Sequence, residues 1–173
     1  MDFSLPQAYL TGLLVLLSGA AVVVARQILR VRRDESSLAR LESQLREGDQ
    51  NVADLYELGS VQLRKRLYGQ AAETLRLAAK RAGDEPAEAR AVIENALGFC
   101  LAAQSNYTGA IRHYRAALKA KTDYPVALNN LAFALEKLQK PEEARSTYEQ
   151  VLQLDQANKT ARKRLQRLNR LAA

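Results

Sequence analysis

Residues 91–117, AVIENALGFCLAAQSNYTGAIRHYRAA, and residues 125–151, PVALNNLAFALEKLQKPEEARSTYEQV, align without a gap. Leu97-Gly98 meets Leu131-Ala132, Ala110 meets Ala144, Tyr114 meets Tyr148 and Ala117 meets Val151. Upstream, Leu58-Gly59, Ala71, Leu75 and Ala78 keep the same internal register, 39 residues before the second copy where the second and third are 34 apart. Self-similarity at this period marks stacked structural units, and a run of Ala and Leu with few turn residues makes those units helical.

The columns resemble the tetratricopeptide repeat, a helix-turn-helix unit with Leu-Gly in its first helix and small, large and small residues in its second. The resemblance covers residues 52 to 158 and implies an all-α solenoid of helical hairpins, in which no unit buries its apolar face alone and stacking makes the core. The small residues Gly59, Gly98, Ala132, Ala71, Ala110 and Ala144 are expected to let the helices of a repeat approach. Leu75, Tyr114 and Tyr148 are expected to fill the space between neighbouring repeats. Leu55, Glu94 and Leu128 stand where the family has a large aromatic, with Glu94 the poorest fit. Gly83, Thr122 and Gln156 replace a proline near each repeat's end, while Pro125 and Pro141 suit first helical turns. The five extra residues near Gly83-Asp84-Glu85-Pro86 are expected to lengthen the next helix back to about Pro86.

Outward from the repeats, three more regions complete the expected organisation. Residues 1–33 form a transmembrane anchor with a basic juxtamembrane segment and 34–51 a linker helix. Three repeats follow at 52–85, 91–124 and 125–158, and 159–173 forms a basic capping helix. The helix periods fall at 8–31, 35–47, 52–66, 70–82, 86–104, 107–120, 125–138, 141–154 and 158–170. Leu38, Leu41 and Leu45 make a narrow apolar stripe that fits packing on the first repeat as a stiff spacer.

The anchor reading rests on 18 uncharged residues, Ala8 to Ala25, nine of which are Leu or Val. On the insertion scale these nine contribute about −3 to −5 kcal/mol. Extension to Phe3 or through Leu29 brings the stretch to the ~20 residues a bilayer needs. A cleaved secretory signal has its basic residues before the apolar run, whereas here Arg26, Arg30, Arg32 and Arg33 follow it. By the positive-inside rule the same cluster keeps the rest of the chain on the cytoplasmic or stromal side.

The whole chain of 173 residues is 47% hydrophobic with a formal charge of +7, one His, one Cys, one Met and no Trp. That stock excludes a disulfide framework and a Cys/His zinc cluster. No catalytic triad, phosphate loop or metal-ligand spacing occurs, so no catalytic residue, cofactor or metal is assigned. His113 sits within a helical pattern, Cys100 reads as a buried small hydrophobe, and the sequons at Asn106 and Asn158 fall in inter-helix turns where Asn is favoured structurally. Lys159, Arg162, Lys163, Arg164, Arg167 and Arg170 give residues 159–173 a charge of +6. They form one helix without interleaved aromatics, which disfavours nucleic acid as the partner.

Function in such a solenoid belongs to the concave groove, lined by first helices. The groove residues in this register are Tyr56, Ser60, Leu63 and Arg64, then Asn95, Phe99 and Ala102, then Asn129, Asn130, Phe133 and Glu136, continued by Lys163 and Arg167. The amides of Asn95, Asn129 and Asn130 suit the backbone of an extended protein segment, and Tyr56, Phe99 and Phe133 its apolar side chains. Repeats of this type that bind chaperone tails need Lys, Asn, Asn, Lys and Arg in a carboxylate clamp. Tyr56, Ser60, Ala96, Val126 and Asn130 stand at those places, so that role is disfavoured.

An uncleaved span, an inward-facing domain of three repeats, a short basic cap and the segment Tyr124-Pro125-Val126-Ala127-Leu128-Asn129-Asn130-Leu131-Ala132-Phe133 together resemble the small tetratricopeptide-repeat photosystem I assembly factors of cyanobacteria and algal plastids. The resemblance implies a non-enzymatic, single-pass thylakoid membrane protein whose repeat domain lies on the cytoplasmic or stromal side. It also implies photosystem I subunits or assembly intermediates as partners. The alternative is a general membrane-anchored repeat adaptor in envelope assembly or protein import.

Overall fold

The computed structural model describes residues 5–46 and 51–172 and contains, among them, eight α-helices and no strand. The order is α1 (Leu5–Arg46), α2 (Val52–Arg64), α3 (Tyr68–Arg81), α4 (Ala87–Ala103), α5 (Tyr107–Ala120), α6 (Pro125–Lys137), α7 (Pro141–Leu154) and α8 (Lys159–Ala172), with a short 3-10 turn at Ala82–Asp84. Consecutive helices from α2 onward pack on one another, and the pairs α2/α3, α4/α5 and α6/α7 are the three hairpins.

The first two hairpins each close on a contact that their sequence dictates. A methyl group added to Gly59 would meet Leu75 Cγ at 2.6 Å, and one added to Gly98 would meet Tyr114 Cε1 at 2.7 Å. The large second-helix residue therefore occupies the space that its own repeat's glycine leaves. This adds to the expectation that Leu75 and Tyr114 fill the space between repeats; they also belong to the continuous core, which runs from Ala71 to Leu168 through all three hairpins. Burying Tyr114 and Tyr148 to 1% exposure stabilises the stack by roughly 2 to 3 kcal/mol each.

The turns inside the hairpins are alike. Arg66, Ser105 and Gln139 each adopt a positive φ, between 56° and 62°. The amide of the following residue, Leu67, Asn106 or Lys140, bonds back five residues to Gln62, Leu101 or Leu135 at 2.9–3.0 Å. This is the Schellman closure, which satisfies the last carbonyls of the first helix. Asn106 then caps α5 by accepting from Gly109 N at 2.9 Å, and Asn158 caps α8 through Ala161 N at 3.0 Å. Both sequon asparagines thus hold helix starts.

One difference from the sequence expectation concerns the N-terminal part. The periods at 8–31 and 35–47 belong to a single helix, α1, of 42 residues. Tyr9–Leu29 within it is long and apolar enough to cross a bilayer, and none of that window is buried by protein. At 1.5 Å per residue, Arg30 to Arg46 carry the same helix about 25 Å further. There it meets α2: Leu41, 1% exposed, packs with Leu58 and Val61, with Leu38 alongside. Arg40 pairs with Glu57 at 3.7 Å and Glu35 with Lys65 at 3.8 Å. Leu45, the third residue of the expected stripe, lies outside the residues whose side chains are described.

Candidate functional site

The first helices of the hairpins, α2, α4 and α6, and the last helix, α8, occupy equivalent places in the stack. Aligned by the repeat register, their equivalent positions are Tyr56, Asn95 and Asn129, then Ser60, Phe99 and Phe133, with Lys163 and Arg167 next, the row the sequence names as the groove. Phe99 is 43% exposed and Val126, beside the row, 53%. A side chain that large and apolar is left in solvent here at two places on one face.

Between the helices the row is cross-linked. Asn130 Nδ2 donates to Asn95 Oδ1 at 3.0 Å, and Asn95 Nδ2 lies 3.5 Å from the Tyr124 hydroxyl. Burial holds the Tyr124 phenol above its ordinary pKa, with Tyr56 acting in the same direction and the Asn95 hydrogen bond against it. Two of the three amides expected to face a partner thus tie α4 to α6. Asn129 Oδ1 is shielded from solvent and accepts no hydrogen bond. Ser60 is half-buried and Arg64 exposed.

The far end is built on Phe133 and Glu136. Tyr107 meets the Phe133 ring edge-on, centroids 6.4 Å apart at 76°. Lys137 Nζ lies 5.4 Å and Arg164 Cζ 5.0 Å from the ring centroid, so two cations gather over one aromatic. The Glu136 side chain is 6% exposed, yet its carboxylate is fully engaged. It accepts from Tyr148 Oη at 2.8 Å, from Arg164 Nη1 at 3.4 Å and from Arg167 Nη2. A buried carboxylate is tolerated because those donors replace water. Burial foremost, then this hydrogen bond, pushes the Tyr148 phenol well up. Sequence reasoning placed Glu136 in the row and missed this role, and it missed Tyr124, Lys137 and Arg164 as the neighbours of Asn95 and Phe133. A Tyr immediately before a helix-starting proline was the available signal for Tyr124.

At the near end lies a pocket that sequence reasoning did not foresee. Val52, Ala53 and Tyr56 of α2 face Ala89, Val92 and Ile93 of α4 across a cavity of about 330 Å³, with Glu85 and Glu88 on its rim. The extra residues before α4 supply Glu85, and the backward extension of α4 supplies Glu88 and Ala89. Among the described residues no group of His, Cys, Asp and Glu could hold a metal ion.

The profile of the family described as Tetratricopeptide repeat matches residues 88–157. The chain is 35% identical over 164 residues to the chloroplastic Tetratricopeptide repeat domain-containing protein PYG7 of Arabidopsis thaliana, covering 94% of this chain and 54% of that protein. It is 32% identical over 165 residues to the protein named ycf37 of Guillardia theta, covering 95% of this chain and 93% of that one. The chain thus spans about half the length of the first relative and nearly all of the second. Among solved structures, MamA superposes with a TM-score of 0.71 at 18% identity, covering 78% of this chain and 76% of that one. The first repeat domain of Spaghetti (RPAP3), bound to the HSP90 peptide SRMEEVD, superposes with a TM-score of 0.65 at 23% identity, covering 70% of this chain and 94% of that one. At these identities the structural likeness speaks for the fold alone.

Proposed function

Because the chain belongs to the ycf37/PYG7 family of tetratricopeptide-repeat proteins, we propose that it is a membrane-anchored, non-enzymatic scaffold that assists the assembly or stabilisation of photosystem I at the thylakoid membrane. In this reading residues 1–33 anchor the chain and 34–51 link it to the repeats, with α1 running through this linker as far as Arg46. Residues 52–158 form the binding repeats and 159–173 close the stack. The repeat domain faces the cytoplasm or stroma, on the side of the arginines that follow the apolar stretch.

The observation that carries the reading is the continuous α1. An apolar window of 21 residues and the packing of Leu41 on Leu58 and Val61 lie on the same rigid helix, so the repeats are held at a set height over the lipid. A solenoid so placed presents its groove to proteins being built into that membrane. Tyr56, Ser60, Arg64, Asn95, Phe99, Asn129, Asn130, Phe133, Lys163 and Arg167 form the proposed binding face. The photosystem I assignment is supported by the chloroplastic relative and by the resemblance carried on Tyr124 to Phe133.

Affinity purification of the tagged full chain from solubilised thylakoids tests this. Photosystem I subunits are expected to co-purify, and deletion of the protein is expected to lower photosystem I while photosystem II is kept. Equal loss of both photosystems, or recovery of envelope or import components instead, would favour the general adaptor.

A further inference from the structure

The groove described above is electrically lopsided, and the asymmetry bears on what it holds. Resting on the reading of this face as a protein-binding groove, we propose that it takes an extended segment in one orientation. An apolar side chain followed by Lys or Arg sits at the first repeat, and Asp or Glu residues about nine positions away sit at α8.

The near end supplies the first half of that pattern. The pocket between α2 and α4 has an apolar floor, Val52, Ala53, Val92 and Ile93, and about 330 Å³ of space, at the small end of ligand cavities. One aromatic or two aliphatic side chains fill such a volume. Glu85 and Glu88 stand on its rim, and neither has a basic partner among the described residues. A cation next to the entering apolar residue pairs with these carboxylates, which a neutral neighbour cannot do.

The far end supplies the second half. Arg164 and Arg167 are tied to Glu136, but Lys163 and Arg170 are exposed and have no acidic partner among the described residues. Lys137 adds a third cation, over Phe133. The buried Glu136 is already saturated by its three donors and cannot neutralise them.

Between the ends, exposed Phe99 and Val126 continue the apolar strip. Neighbouring helices stand 8–10 Å apart, so the three steps from α2 to α8 span on the order of 30 Å, the reach of about nine extended residues. One segment can touch both charged ends only in the sense that sets its basic end on Glu85 and Glu88.

Selection of phage-displayed random 12-residue peptides on the full chain in zwitterionic nanodiscs tests the proposal. Enriched peptides should carry an apolar residue next to Lys or Arg near one end and Asp or Glu toward the other, always with the same polarity. The double variant Glu85→Gln with Glu88→Gln should lose the basic preference alone, and Lys163→Gln with Arg170→Gln the acidic preference alone. Neither pair makes a side-chain hydrogen bond or ion pair among the described residues, and unchanged helicity checks that the fold is kept. For one selected peptide, fluorescence anisotropy should show about tenfold weaker binding to each double variant at low salt, with the gap closing at high salt.

Enriched peptides without charge asymmetry, or preferences that survive the variants, overturn the proposal. So does loss of the acidic preference in nanodiscs containing phosphatidylglycerol, which would give α8 to lipid. A dimer in light scattering that vanishes with Glu85→Gln and Glu88→Gln also overturns it, by seating a second copy's α8 on the pocket. Absence of photosystem I subunits from the purification, with the peptide preferences intact, removes the assembly reading and leaves this one standing.

Discussion

The carboxylate of Glu94, which stands where the repeat family has a large aromatic, lies 2.7 Å from Nδ1 of His113, the one imidazole in the chain. The residue that fits the repeat pattern least thus finds its partner across the second hairpin. Their side chains are 23% and 27% exposed, so the pair is partly withdrawn from water. Removing either partner leaves the other half-buried and unsatisfied. Glu94→Ala and His113→Ala are each expected to cost about 1 to 2 kcal/mol in urea unfolding, with a coupling of at least ~0.5 kcal/mol in the double-mutant cycle. Glu94→Leu with His113→Leu is expected to be near neutral, since apolar replacement of a shielded pair restores packing. Additive single effects would make the contact incidental.

Gly98 is the tightest point of the same hairpin. A Cβ there would lie 2.7 Å from Tyr114 Cε1, 2.8 Å from its Cδ1 and 3.2 Å from the Ala110 carbonyl. The ring is held in the core and the carbonyl is backbone, so neither yields freely. Gly98→Ala is expected to destabilise by about 1 to 3 kcal/mol, whereas Gly69→Ala, with nothing within 4 Å, is expected to raise stability by up to about 1 kcal/mol. Thermal unfolding of both variants reads the opposite signs.

Gln62 occupies the place in the first repeat that Leu101 and Leu135 hold in the next two. It is 5% exposed, and its Oε1 accepts no hydrogen bond. A buried acceptor without a partner costs about 1 to 3 kcal/mol. Gln62→Leu is therefore expected to stabilise the chain by about 1 to 2 kcal/mol and to leave its helicity unchanged. A loss of stability would mean that the amide has a role the static contacts hide.

These pairs also mark where the sequence stops being legible. The small and large columns showed the hairpins because each is a local steric demand repeated in register, and Gly59 against Leu75 is the same demand as Gly98 against Tyr114. Leu38 and Leu41 revealed the face that meets α2 for the same reason. What the sequence hid is contact between residues far apart in it. Glu94 and His113 are 19 residues apart, and Asn95 and Asn130 are 35 apart, and no spacing rule links them. Arg32-Arg33-Asp34-Glu35 reads as a break, yet α1 runs through it. Good intrinsic helix formers beyond it and the packing on α2 outweigh a polar interruption. The left-handed turns at Arg66 and Gln139 were equally silent, because neither residue type announces a positive φ. The acid-rimmed pocket was missed because the extra residues were read for length, and not for where they put Glu85.

Cys100 offers a pH test of the core. It is fully buried beside the Gly98 contact, and burial pushes its thiol from an ordinary 9.0 up to about 11, opposed by a backbone hydrogen bond. Below pH 9 the thiol is neutral in both the folded and the unfolded chain, and its contribution is complete. As pH rises past 9 the unfolded chain releases the proton and the folded chain keeps it, so stability falls until the folded thiol titrates near 11. The melting temperature of the native chain should therefore drop more steeply between pH 9 and 11 than that of Cys100→Ala, whatever the two differ by at pH 7. Maleimide at pH 7.5 should label the folded chain far more slowly than the urea-unfolded one, since the reacting thiolate is both scarce and covered. Equal labelling rates would put the thiol in solvent, which the close approach of α4 to α5 does not allow.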